Sequence, residues 1–136
     1  MNSTETSKDV VRNYVAALTA KDGAPLGSFF AEDATWTLIG DLPMSGTWHG
    51  HKGIFEDFLG LAFSRLRTDT LDLAVLDLFG EGEKITLEWT SKAEVHGGGV
   101  YDQHCLAVFT VRDGLITAVR EYFDTEHARR TLFTAA

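Results

Sequence analysis

The chain is poor in the residues that mark most specialised classes of protein. It has one cysteine, Cys105, so no internal disulfide can form and a disulfide-stapled secreted scaffold is excluded; a reducing cytoplasm is the expected location. Its two prolines, Pro25 and Pro43, lie far apart, and no linker, repeat or low-complexity segment stands out. Basic residues are scarce: 12 Lys and Arg face 20 Asp and Glu, for a net charge of −8. Without a concentrated basic patch, nucleic acid and anionic membranes are not expected partners, and the one basic cluster, Arg129-Arg130, is too small to make one. No apolar run approaches the ~18 residues of a membrane span, and MNSTETSKDVVRNYV lacks the basic-then-apolar order of a secretory leader. Glycine-rich phosphate loops are missing too. Gly97-Gly98-Gly99 precedes a strand and Gly80-Glu81-Gly82 reads as a hairpin turn, so no nucleotide cofactor, and no cofactor of any kind, is expected.

What the chain does have is apolar and aromatic. Nine Phe, three Trp and three Tyr sit in a composition that is 44% hydrophobic, enough for a sizeable core with an aromatic-lined interior. A length of 136 residues predicts one domain, residues 1–136.

Val10, Val11, Tyr14, Val15 and Leu18 recur at helical spacing and predict a helix from Glu5 to Lys21, ended by Lys21-Asp22-Gly23. Ala24 to Ala31 reads as a second short helix with Phe29 and Phe30 facing inward, and Ala34 to Ile39 as a strand. After a break at Gly40–Pro43 and the glycine-punctuated Ser45–Gly50, the stripe Ile54, Phe55, Phe58, Leu59, Ala62 and Phe63 predicts a third helix. The second half is β. Leu71, Leu73 and Val75 alternate with polar or small residues, whereas Leu76 and Leu78 take the opposite parity, a slip that predicts a bulge or a strand buried on both faces. Ile85, Leu87, Trp89, Ser91 and Ala93 share one face of the next strand. Tyr101, Gln103, Cys105, Ala107, Phe109 and Val111 share one face of the strand after that. Arg112-Asp113-Gly114 turns the chain into a last strand carrying Glu121. Helices followed by antiparallel strands predict an α+β fold, a cone-shaped α+β barrel in which N-terminal helices pack on a strongly curved, mostly antiparallel sheet.

Several segments, taken in order, carry a family likeness. Phe30-Ala31-Glu32-Asp33-Ala34-Thr35 leads into a strand, and Ser45-Gly46-x-x-x-Gly50 precedes a helix. Then come Tyr101-Asp102-Gln103, and Arg112-Asp113-Gly114-Leu115-Ile116 running into Arg120-Glu121-Tyr122-Phe123-Asp124-Thr125. Together they resemble the SnoaL-like branch of the nuclear transport factor 2-like superfamily, whose fold hosts polyketide cyclases, steroid isomerases, epoxide hydrolases, dehydratases and proteins without catalysis. Fold alone therefore leaves function open. Where ketosteroid isomerases keep an Asp base on the first strand this chain has Leu38. Tyr14 matches their oxyanion-hole Tyr, but Ala107 stands where their acid would be. Limonene-type epoxide hydrolases have an Asp where Glu121 stands, yet their Arg-x-Asp pair falls at Trp89 and Ser91. Glu121 also matches best the closing-strand acid of SnoaL-like cyclases.

The parity implied by this resemblance turns Glu121 into the cone, with Gln103, Tyr14 or a Trp indole N–H placed to orient it or to hold a substrate oxygen. Substrate would lie against Trp36, Leu38, Phe58, Trp89 and Ser91 on one side, and against Tyr101, Cys105, Ala107, Val119 and Phe123 on the other. Desolvation there would raise the carboxyl pKa toward neutrality, as acid/base chemistry requires. The opposite parity, with Ile116, Ala118 and Tyr122 buried, would leave Glu121 a solvated surface acid. Alternation alone does not choose between them.

Cys105 reads as a small core hydrophobe, since no Cys/His motif surrounds it. His49-x-His51 with Glu56 mimics a cupin metal motif, but Glu56 falls within a helical stripe and no second motif follows, so no metal is expected. His127 reads as an exposed residue of the C-terminal segment. Leu106, Val108, Ile116 and Ala118 on the outer strand faces predict a homodimer packed through the sheet, as the resemblance also implies. The expected function is a cofactor-free enzyme that moves protons on a small apolar oxygenated molecule in a cyclisation, isomerisation, dehydration or epoxide opening. The alternative is a small-molecule-binding or partner-binding module of the same fold.

Overall fold

The computed structural model describes residues 3–20 and 25–133. Helix α1 spans Ser3–Ala20 and buries Val11 and Tyr14, as its apolar spacing dictates; the helix stop expected at Lys21-Asp22-Gly23 lies outside the described residues. A short 3₁₀ turn, Leu26–Phe29, leads straight into β1, Phe30–Leu38. The second helix expected up to Ala31 is thus reduced to one turn, because Phe30 already pairs with Ile116 as a strand residue. Ser45–Gly50 is more than a lead into a helix: Gly46–His49 forms β2, antiparallel to β1.

The third helix is present but is wound in two ways. Lys52–Phe58 is π-helical, with the Leu59 N–H donating to the Ile54 carbonyl five residues back, and it runs into α2, Leu59–Ser64. Strands β3 (Asp72–Glu81), β4 (Lys84–Glu94), β5 (Val100–Arg112) and β6 (Leu115–Phe123) follow, and α3, Thr125–Leu132, ends the described chain.

The six strands form one curled sheet in the order β2-β1-β6-β5-β4-β3, antiparallel throughout except for the parallel β1–β6 pair. The three helices pack on it, giving the α+β cone expected from the pattern. The ladder shifts register in three places, between Phe30 and Thr35 of β1 and at two bulges in the antiparallel pairs. Val75 pairs with Trp89 and Asp77 with Glu88, which leaves Leu76 as the extra residue that the phase slip predicted. Thr110 pairs with Ala118 but Val111 with Ile116, so Thr117 is an extra residue in β6. This second bulge resolves the parity question, since Ile116 is buried on one side of it and Val119 and Glu121 on the other. Ile116 is therefore a core residue and not part of the outer face expected to pack on a second copy.

The β5–β6 turn has positive φ at both Asp113 (53°) and Gly114 (79°), the mirror-image turn whose twist suits a two-residue hairpin. Among the described residues no helix is long and apolar enough to cross a membrane.

Candidate functional site

Between the concave face of the sheet and helices α1 and α2 lies a cavity of about 100 Å³. The strands present one parity to it: Leu87, Trp89 and Ser91 from β4, Tyr101, Cys105 and Phe109 from β5, and Glu121 and Phe123 from β6. Trp36 of β1 and Phe58 at the end of the π-helix close one end, and Tyr14 leans in from α1. Nine of the thirteen residues expected at the site therefore line one space, namely Tyr14, Trp36, Phe58, Trp89, Ser91, Tyr101, Cys105, Glu121 and Phe123, and Gln103 is buried on the same strand face as Tyr101 and Cys105.

The remaining three, Leu38, Ala107 and Val119, are buried in the core but do not line the cavity. Gln103 does not line it either. Its amide is spent on the backbone at the β6–α3 junction, where Nε2 donates to the Asp124 carbonyl at 2.9 Å and the Asp124 N–H donates to Oε1 at 3.1 Å. These two bonds anchor the start of α3 to β5. His127 is likewise not a free surface group, since its Nε2 accepts the Asp102 N–H at 2.9 Å and its ring stacks on Tyr101 at 5.6 Å.

Glu121 is 7% exposed. Trp36 Nε1 donates to its Oε1 at 3.1 Å, and among the described residues the other oxygen has no hydrogen bond. No side-chain nitrogen or oxygen among them is both fully buried and unpartnered, so this second oxygen opens onto the cavity. Burial pushes the carboxyl pKa up to about 7, against the smaller opposing pull of the Trp36 hydrogen bond. The same burial raises Tyr14 and Cys105 well above their usual values, and the Glu121 charge adds to both shifts; Tyr14 stays a neutral donor and Cys105 an unionised thiol. The Tyr101 phenol is raised for the same leading reason.

Among the described residues the lining contains one carboxyl and no Lys, Arg or His. Among the described residues no cluster of His, Cys, Asp and Glu could hold a metal ion; His51 Nε2 instead lies 3.1 Å from the Phe30 carbonyl. An isolated carboxyl of near-neutral pKa in an apolar chamber, with a phenol and a hydroxyl nearby, is chemically a proton donor and acceptor for an uncharged ligand.

The SnoaL-like domain model matches residues 11–119. The chain belongs to the SnoaL-like family. Among solved structures, this SnoaL-like chain is similar to Bal32a from a soil-derived mobile gene cassette, at 26% identity and TM-score 0.85, covering 96% of this chain and 99% of the other. TerC co-crystallised with polyporic acid is 20% identical, with TM-score 0.80 and coverage of 95% and 99%. A protein of Jannaschia sp. described as a SnoaL-like polyketide cyclase is 14% identical, with TM-score 0.82 and coverage of 100% and 97%. At these identities the last two show a shared fold.

Beyond Tyr14 and Phe58, sequence reasoning missed the helical side of the cavity. Leu18, Leu59, Ala62 and Phe63 line it, and all four belong to apolar stripes that periodicity reads as ordinary core. Met44 and Leu132 also line it, from segments with no periodic signal at all.

Proposed function

We propose that this SnoaL-like protein is a cofactor-free enzyme that binds a small, largely apolar, oxygenated molecule in the cone and moves a proton on it with Glu121. One observation carries the reading: a buried carboxyl has one oxygen tied to Trp36 and the other open to an apolar cavity. Such a group takes a proton from carbon or oxygen as carboxylate, and returns it as acid, without large cost in either direction near neutral pH. Enolisation-driven cyclisation, isomerisation, dehydration and epoxide opening all need that step. Tyr14 lines the same cavity, and in this reading its hydroxyl holds a substrate oxygen. The absence of a basic side chain among the described lining residues favours neutral ligands over carboxylates, and the similarity to TerC, crystallised with polyporic acid, and to a protein described as a polyketide cyclase supports the class. The free buried cysteine suits a cytoplasmic setting, and the outer sheet face suits a homodimer.

The test is turnover of a panel of small ketones, epoxides and polyketide-like diketones by the natural protein and by Glu121→Gln. Loss of about 10²–10⁴-fold in kcat, with ligand binding retained, is expected; undiminished turnover by the variant would sink the proposal. The alternative, a binding module with no reaction, is favoured by the apolar side chains buried at Leu38 and Ala107, where the resemblance places acids. It predicts that panel members quench tryptophan fluorescence in both proteins and that neither protein forms product.

A further inference from the structure

Trp36 is held by aromatic neighbours from three directions. Its ring lies 6.2 Å from Phe30 in a stacked arrangement, 5.5 Å from Phe58 and 6.3 Å edge-on to Phe109. Those partners come from β1, the π-helix and β5, so the indole has little rotational freedom and its N–H points in a fixed direction. It meets Glu121 Oε1 at 3.1 Å, and no other hydrogen bond reaches the carboxyl among the described residues. An indole N–H can only donate, so it accepts nothing from the acid and leaves Oε1 in the role of acceptor whether Glu121 is ionised or neutral.

We propose that Trp36 is a positioning residue that divides the labour of the two Glu121 oxygens: Oε1 stays anchored as a carbonyl-like acceptor, and Oε2 alone takes and returns the proton. This rests on the reading of Glu121 as the acid/base group. The hydroxyl oxygen of a neutral carboxyl is the poorer acceptor, so the proton belongs on Oε2, the oxygen that faces the ligand. Ionised Glu121 keeps the same geometry, because the Trp36 N–H bond then becomes charge-assisted and shorter. Proton transfer in either direction therefore needs no rotation of the carboxyl, a preorganisation of the kind that lowers barriers in dry sites. Trp36 in this role offers no hydrogen bond to the ligand, only an apolar ring.

The first readout needs no substrate and is made on the natural protein, with one variant used for assignment. In ¹⁵N-labelled protein the three indole N–H signals, from Trp36, Trp48 and Trp89, are followed from pH 5 to pH 9. One signal, assigned to Trp36 by its loss in Trp36→Phe, is expected to move downfield with rising pH, with a midpoint near 7, and to stay flat in Glu121→Gln. A pH-independent Trp36 signal in the natural protein overturns the proposal. The second readout is the carboxyl itself. In ¹³C-labelled Trp36→Phe, which keeps an aromatic ring but loses the donor, the Glu121 midpoint is expected to rise by roughly half to one pH unit, and an unmoved midpoint overturns the assignment. With a substrate in hand, the same variant lowers kcat and shifts the pH profile upward with KM little changed; a purely structural role would lower stability and leave the profile in place. Failure of Glu121→Gln to affect turnover would remove the catalytic reading while the titration of Trp36 still stood, so the two failures are distinguishable.

Discussion

Glu121 is a cost that the fold carries. Its carboxyl holds a proton up to about pH 7 in the folded chain, whereas in the unfolded chain it ionises in the ordinary range near ~4.3. Between those two values the folded state binds more protons than the unfolded one, so stability falls as pH rises through that window and levels off above about pH 7. The expected loss attributable to this group across the whole window is on the order of 3–4 kcal/mol. Glu121→Gln keeps an acceptor for Trp36 Nε1 and cannot ionise, so its unfolding free energy should lack this component. Urea titrations of both proteins at pH 5.5 and pH 8 measure it: the variant is expected to gain on the natural protein at the higher pH. A constant gap between the two would mean that Glu121 is solvated or otherwise compensated. A residue whose removal stabilises the fold is retained for a reason other than folding, which is why this measurement bears on function.

Elements explain what the sequence could and could not convey. The alternation in β4 and β5 groups Ser91 with Leu87 and Trp89, and Tyr101 with Cys105 and Phe109, on shared strand faces, but it was the family resemblance that turned those faces toward the cavity. Glu121 was ambiguous because the Thr117 bulge puts residues of both parities, Ile116 and Val119, in the core, and a period-2 reading has no means of locating an inserted residue in so short a strand. β2 has four residues with little burial to mark them, and the π-helical winding of Lys52–Phe58 uses the same apolar residues as an α-helix would. α3 has an N-cap, Asp124, whose Oδ1 accepts the His127 N–H at 3.1 Å, but its docking depends on Gln103 and His127, which are remote in sequence from the groups they bind.

The β3–β4 hairpin shows the opposite case, a backbone demand written plainly in the sequence. Gly80 sits opposite Ile85, and a Cβ there would run into the Lys84 carbonyl and Ile85. Gly80→Ala is expected to cost on the order of 2 kcal/mol or more, read as a lower denaturation midpoint. Gly82, where a Cβ would meet nothing, has φ of +60°, so an alanine there should cost about 1 kcal/mol from strain alone. Equal costs at the two glycines would show that the clash is relieved by a shift of the hairpin.

At the scale of the whole molecule the outer face of the sheet carries one apolar patch and the β3 edge another. Leu106 and Val108 of β5 are only partly buried, and their β6 neighbour Tyr122 is 37% exposed. Around them His104 Nε2 lies 2.6 Å from Glu88 Oε2, a polar rim to an apolar centre of the kind that self-association uses. The β3 edge also exposes Val75, Leu76 and Phe79, but there the Leu76 bulge interrupts the ladder and the Asp77 Oδ1 caps the Leu78 N–H at 2.9 Å, so the edge is poorly suited to pairing with another strand. The sheet face, not the edge, is therefore the expected contact of a homodimer related by a two-fold axis. Sedimentation equilibrium should give twice the monomer mass, and Val108→Lys should give a folded monomer, because a lysine on the outer face is solvated in one chain but buried against its copy in two. Since β5 carries Val108 outward and Tyr101, Cys105 and Phe109 inward, the monomeric variant also asks whether the cavity wall needs its partner. Ligand binding unchanged in that monomer would make the cone self-sufficient, whereas weakened binding would mean that the dimer stiffens the strand on which half of the cavity is built.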